Sequence, residues 1–320
     1  TMMGRMIGKH SSVFTFKELH FFGQLWSLKD DNKFLEKKES VKLFSKLVCI
    51  QEFGIFNQRN PEQFDNISEL QLSQKEYSEI DVFNLFLNYY AEQKNSVIPC
   101  DQTPRNVFYI QEILGNFPNA KVVNMVRDPR DVLLSQKNKW KRRYLGASSI
   151  PFREAIRSYF NYHPIAISKI WNTSILNAKK FEQDKRVKTI KFEDLLLNPK
   201  STISELCGFL EIDFNESMLR VPNIGSSTNL DKNSTSGIDK SKIGSWKRGG
   251  LNLSEIYICQ KMCRENMSFY KYENRVFNLI PLFTIISVFT FPIKISISFI
   301  LNLHRIKNFK ELIQKRILNK

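Results

Sequence analysis

Two stretches of the chain share one rhythm. In KVVNMVRDPRDVLLSQKNKW (121–140) a short, almost wholly apolar run meets a sharp polar turn and then a helical pattern, and RVKTIKFEDLLLNP (186–199) repeats that order. An apolar run of this length suits a strand covered on both faces. Strands that alternate with helices imply a parallel sheet with helices packed on either side. The reading is a three-layer α/β domain.

The rest of the chain fits around that unit. Residues 2–9 read as a helix with Met2, Met3, Met6 and Ile7 on one face, and residues 17–50 continue with helix-like spacing. Residues 55–80 are a polar excursion, and 81–94 form an amphipathic helix capped by Asp81. A short apolar run at 96–100 precedes Pro104, which sits just inside a helix predicted over 105–116. The Ser-, Gly- and Asn-rich segment 225–246 reads as a surface loop, followed by a helix over 251–272. Residues 1–272 are thus assigned to the α/β domain and 273–320 to an apolar and basic appendage.

Charge narrows the partner. The chain of 320 residues carries 48 basic and 32 acidic side chains, a net +16. Residues 304–320 account for +5 of this, so the remainder is itself basic at +11. Such a field favours an anionic ligand. No basic helix with interleaved aromatics and no zinc-finger spacing is present, which argues against nucleic acid. Five scattered cysteines suit a reducing compartment, hence the cytoplasm. Cys259 and Cys263, four apart in a helical pattern, read as core thiols, and no metal-ligand cluster is visible.

From Val276 to Ile293 the chain has 18 residues without a charge, with Pro281 and Pro292 inside. Attachment to a membrane surface, packing on the domain or on a second subunit, and a true span all remain open for this segment.

The chemistry concentrates at Arg127, which the pattern places at the carboxyl edge of a strand, where open α/β sheets bind ligands. Pro129 forms the turn, Asp131 is positioned to cap the next helix, and Ser135 lies on it. Lys139 follows four residues later, hence on the same face. A guanidinium fork, a hydroxyl and an ammonium together suit a phosphate. The plainer alternative is surface ion pairing by Arg127 and Asp128.

Arg127, the Asp-Pro turn and Ser135 after a hydrophobic strand resemble the 3′-phosphate-binding motif of the sulfotransferase family. DQTPRN (101–106) is similar to the Glu-Lys-Thr-Pro strand end of its bacterial and Golgi-type members, tyrosylprotein sulfotransferases among them. IGSWKRGGLNLSEI (243–256) looks like the family's Trp-bearing loop, and KELHFF (17–22) resembles the segment after its first helix. The resemblance covers most of residues 1–270.

It implies a P-loop NTPase-like fold and transfer of a sulfuryl group from 3′-phosphoadenosine 5′-phosphosulfate (PAPS), a co-substrate, to a hydroxyl or amine. The acceptor would be a saccharide, a peptide or a lipid. Arg127 and Ser135 would hold the 3′-phosphate with Lys139 assisting. Lys247 or Arg248 would close over the nucleotide, and both join Ser226 in the binding set. Glu18 is the first choice for catalytic base and His20 the second. Thr1 resembles the last residue of the phosphosulfate-binding turn, so the expectation is a chain that begins inside that turn, without the first strand or a complete cradle. Gln102 replaces the usual Lys, Ser245 a basic residue, and Phe192 a Tyr. These departures keep open a decayed transferase domain serving as a membrane-surface or partner-binding protein.

Overall fold

The structure is a computed structural model that describes residues 2–30, 33–73, 76–145, 150–221 and 237–318. Up to Ala120 its elements are α1 (Met2–Ile7), β1 (Val13–Thr15), β2 (Phe34–Leu35), α2 (Lys37–Phe53), α3 (Asp65–Gln71), β3 (Tyr77–Ser78), α4 (Glu79–Gln93), β4 (Ile98–Cys100) and α5 (Ile110–Asn116). Then follow β5 (Val122–Val126), α6 (Pro129–Lys137), α7 (Phe152–Phe160), α8 (Pro164–Lys179) and β6 (Val187–Lys191). The chain continues through α9 (Phe192–Leu197), α10 (Pro199–Leu210), α11 (Leu253–Phe269), α12 (Phe283–Asn302) and α13 (Phe309–Ile313). The chain forms a mixed α/β fold of two compact units, Thr1–Ala120 with Glu211–Val221 and Arg305–Leu312, and Lys121–Leu210 with Pro222–His304 and Ile313–Lys320.

In the first unit β1 and β4 run parallel, with Val13 opposite Ile98 and Thr15 opposite Cys100. Parallel neighbours need a long crossover, and α2 and α4 lie within it. The core is aromatic: Phe16, Phe21, Phe22, Trp26, Phe44 and Phe86 are buried, and Phe21 stacks on Phe83 with ring centroids 4.0 Å apart. The helical spacing expected from residue 17 does not become an α-helix until Lys37. His20 (φ 52°) and Gly23 (φ 79°) turn left-handed instead, and Leu19, Phe21, Phe22 and Trp26 all reach the core. A run buried on every side mimics helical periodicity without being one.

The cap of α4 also differs from expectation. Ser78 is the N-cap, its Oγ accepting from the Asp81 N–H at 3.1 Å while the Asp81 carboxylate accepts from the Ser78 N–H at 2.9 Å. This reciprocal capping box makes Asp81 the third helical residue rather than the cap. Two basic-tail features are tied into this unit: Lys307 Nζ donates to the Glu79 carboxylate at 2.7 and 3.0 Å, and Glu311 accepts from the Leu28 N–H at 2.9 Å.

In the second unit β5 and β6 run parallel from Val122 opposite Val187 to Val126 opposite Lys191. Only Val126 of β5 is fully buried. Among the described residues β5 pairs with β6 alone, so the strand expected to be covered throughout is covered at its carboxyl end. Val126 packs with Leu133, Trp171, Ile175, Cys259, Cys263 and Met267. Both cysteines are free, buried core thiols.

Gly23 holds the turn that carries Glu18 and His20. A Cβ there would collide with the Tyr109 hydroxyl, and its φ disfavours any L side chain. Gly23→Ala is therefore expected to destabilise the protein by about 1–3 kcal/mol, read as a shift of the urea midpoint at unchanged slope.

Candidate functional site

The second unit presents Arg127 one residue beyond β5, where the chain turns into α6. Asp128 is the N-cap, its carboxylate accepting from the Arg130 N–H, and Pro129 occupies the first helical position. The start of α6 is thus preset by a cap and a proline whose missing N–H costs nothing there. The Arg127 guanidinium lies over the Phe192 ring at 4.4 Å, donates from Nη2 to the Lys242 carbonyl at 2.8 Å, and stands 3.5 Å from Asp131 Oδ2. Its Nε is buried without a hydrogen-bond partner. A buried, unused donor on a charged fork fits an anionic oxygen.

Asp131 does not cap the helix as expected. Its buried carboxylate accepts the Gly244 N–H and the Trp246 N–H, both at 2.9 Å, and so fastens the 240s segment to α6. Burial pushes its pKa up, opposed by the Trp246 hydrogen bond and the Arg127 charge. Beneath it Arg130, 1% exposed, forms a bidentate pair with Asp128 at 2.9 and 2.7 Å and lies over the Trp246 ring at 3.9 Å. Glu193 accepts from the Asp128 N–H at 3.0 Å and from the Tyr272 hydroxyl at 2.9 Å. The plainer alternative of surface ion pairing therefore fails for Asp128, which is buried and belongs to Arg130. The Trp246 indole N–H, like Arg127 Nε, is buried without a partner.

In the first unit Glu18 and His20 meet, Nε2 to Oε2 at 3.3 Å, with side chains 43% and 12% exposed respectively. Burial lowers the His20 pKa below 6.5, against the opposing hydrogen bond from Glu18. With Nε2 facing a carboxylate, a neutral imidazole carries its proton there and leaves the lone pair on Nδ1. Nδ1 is buried with no hydrogen-bond partner. The His20 backbone N–H donates to Thr103 Oγ1 at 3.2 Å, and that hydroxyl donates to Asp101 at 2.7 Å. Asp101 also accepts from Asn106 at 2.8 Å, yet burial leaves its pKa raised.

A profile described as the Sulfotransferase family matches residues 1–216. The chain belongs to the sulfotransferase family. No curated protein matches it. Two solved sulfotransferase domains resemble it: one from the curacin biosynthetic pathway (TM-score 0.48, 21% identity, 86% of this chain and 94% of that one) and one from the Synechococcus PCC 7002 olefin synthase (TM-score 0.48, 16% identity, 86% and 90%). The family assignment rests on the matched profile.

Within this sulfotransferase the residues expected at the site fare differently. Arg127 stands at the strand end as anticipated, and Ser135 lies half-buried on α6. Helix α6 stops at Lys137, and Lys139 opens a tighter turn, Lys139–Tyr144, so the continuous face that would align it with Ser135 is broken. Lys247 and Arg248 sit on the short helical turn Ser245–Arg248. Lys247 lies 3.3 Å from Glu273, and Arg248 donates to Ser245 Oγ at 3.0 Å and to the Ser241 carbonyl. Both lie beyond the family match. Thr1 and Ser226 fall outside the described residues. Lys137 is paired with Glu255 and Arg157 with Glu154. Gln102 donates to the Phe16 carbonyl at 2.9 Å. Among the described residues no group of His, Cys, Asp and Glu is arranged to hold a metal.

Sequence reasoning missed Arg130, Glu193 and Tyr272, whose roles depend on partners far away in the chain. Asp131→Ala would leave two N–H groups without their acceptor and take the carboxylate away from beside Arg127. Its expected effect is a loss of about 3–5 kcal/mol of stability, checked by urea unfolding, with Asp131→Asn losing less because it retains one acceptor.

Proposed function

We propose that this chain transfers a sulfuryl group from PAPS to a hydroxyl group on a saccharide, a tyrosyl peptide or a lipid. The observation that carries the reading is Arg127 at the β5–α6 junction, a guanidinium braced by Phe192 and Asp131 and left with an unused buried Nε donor. PAPS would place its 3′-phosphate on Arg127 and Ser135, with Lys139, Ser226, Lys247 and Arg248 as further binding residues and Thr1 as a contact to the phosphosulfate. In the reaction a base takes the acceptor O–H proton as that oxygen bonds to sulfur. The bond from sulfur to the oxygen of the 5′-phosphate breaks, and adenosine 3′,5′-bisphosphate leaves. Glu18 is the candidate base, and its contact with the neutral His20 makes the pair the unit to test.

Residues 1–272 would form the transferase part and 273–320 an appendage, with the protein in the cytoplasm and the appendage against a membrane surface. A second reading, a decayed transferase acting as a membrane-surface or partner-binding protein, is favoured by the Lys242 carbonyl already bonded to Arg127 and by Gln102 in place of a cation. Bisphosphate binding without turnover in the full chain would select it.

Calorimetry with adenosine 3′,5′-bisphosphate tests the main reading. Arg127→Ala should weaken binding by roughly 1.5–3 kcal/mol, the range for a hydrogen bond to a charged group; unchanged affinity removes the proposed phosphate site.

Turnover assays address the base. Glu18→Gln should lower kcat roughly a hundredfold or more while bisphosphate affinity holds. If His20 takes the proton instead, His20→Gln will show the larger loss. Because its pKa lies below 6.5, His20 is neutral at pH 7 and accepts a proton only as pH falls. The acid limb of kcat/KM that it contributes should therefore lie below pH 6.5 and disappear in His20→Gln.

A further inference from the structure

Helix α12 has its polarity reversed for a helix packed on a soluble protein. It packs against α7, α8 and α11, all in the second unit. The side facing them carries a polar seam beside the Phe291 ring, which lies 5.1 Å from His163. Lys294 Nζ reaches the Tyr162 carbonyl at 3.4 Å, Ser298 donates to Asn161 at 2.6 Å, and Asn302 is held by Asn161 at 2.8 Å and Arg157 at 2.7 Å. These three positions are four residues apart and form one continuous seam. The opposite side is apolar and open to solvent: Ile286 is 51% exposed, Phe289 75%, Ile293 64% and Ile300 65%. A water-facing helix shows the opposite arrangement.

The surface beside this face is basic and aromatic. Lys294 lies 5.1 Å from the centre of the Tyr159 ring, Tyr159 meets Trp140 at 6.1 Å, and Trp140 meets Tyr144 at 6.0 Å. Tyr159 continues the exposed stripe Phe152, Ile156, Tyr159 on α7. Lys141 and Arg153 are exposed among these rings. Aromatic rings mixed with cations suit the headgroup region of an anionic bilayer. A second copy of the chain would bring the same cations face to face across a two-fold axis.

We propose that α12 lies in one leaflet of an anionic membrane, its Ile286–Phe289–Ile293–Ile300 face in the acyl region and the α7 and Lys139–Tyr144 rim at the headgroups. This rests on the reading of the appendage as membrane-apposed and specifies how it sits. The segment Phe283–Arg305, which contains an 18-residue stretch of mean hydropathy 1.9, is long and apolar enough to cross a bilayer. The seam decides against crossing. A span would carry Lys294 and the attached Arg157–Glu154 pair into hydrocarbon, where charge is costly, whereas a helix lying flat keeps them on the protein side.

The test uses the full chain with sealed vesicles of phosphatidylcholine, alone or mixed with phosphatidylserine. Flotation should show binding to the mixed vesicles and much weaker binding to the neutral ones. The double variant Phe289→Asp with Ile293→Asp changes only exposed side chains, so its circular dichroism should match the parent, while its partition coefficient should fall about tenfold or more. Protease added outside should cleave epitope tags at both ends of the chain. Protection of either end would identify a span and overturn single-leaflet seating. Absence of vesicle binding, or a variant that binds like the parent, would overturn it too. So would a dimer seen by sedimentation that the double variant dissolves, since it assigns the face to a second copy. Bisphosphate calorimetry on the same double variant separates the two proposals, because its affinity should not change whichever way the vesicles answer.

Discussion

Asp131 is the hinge pin of the second unit. One buried carboxylate accepts two backbone N–H groups from the 240s segment and stands beside Arg127. It joins a strand end, a helix and a loop more than a hundred residues away. Without it the Trp246 turn would lose its anchor, and the Arg127 side chain would be left to Phe192 and a carbonyl. Removing a buried acceptor exposes the full desolvation penalty of what it served, so this carboxylate governs position more than it governs chemistry.

A second layer makes that pin rigid. Arg130 spends its guanidinium on Asp128, on Gln260 at 3.1 Å and on the Trp246 face. Glu193 then ties the Asp128 backbone to Tyr272. The two arginines of the Arg-Asp-Pro-Arg string thus divide the work: Arg130 is saturated and structural, and Arg127 keeps a donor in reserve. The distinction lies in burial and partners, since both side chains are chemically the same.

This also marks what can be read from residues alone. The β5–turn–α6 junction was legible because an apolar run, a proline and a polar turn are local signals, and motifs of the same kind carried the family resemblance. The role of Asp131 was not legible, because an aspartate near a helix start looks like a cap whatever it bonds. The left-handed turn at His20 was hidden by neighbours that bury on every side and so imitate helical spacing. In the 276–303 segment the count of apolar residues drew attention from Lys294, Ser298 and Asn302, whose four-residue spacing carries the information about orientation.

That spacing has a consequence for how the protein is organised. A helix that hydrogen-bonds inward and is apolar outward gains little from burial against its own domain and much from transfer out of water. The polar seam then works as a register device: each of its bonds to Tyr162, Asn161 and Arg157 is satisfied in only one rotational setting of α12. Part-buried polar contacts of this kind specify position even where they add little net stability. The apolar face is consequently held pointing away from α7 and α8, and an apolar surroundings that accepts it must accept the second unit in one fixed orientation.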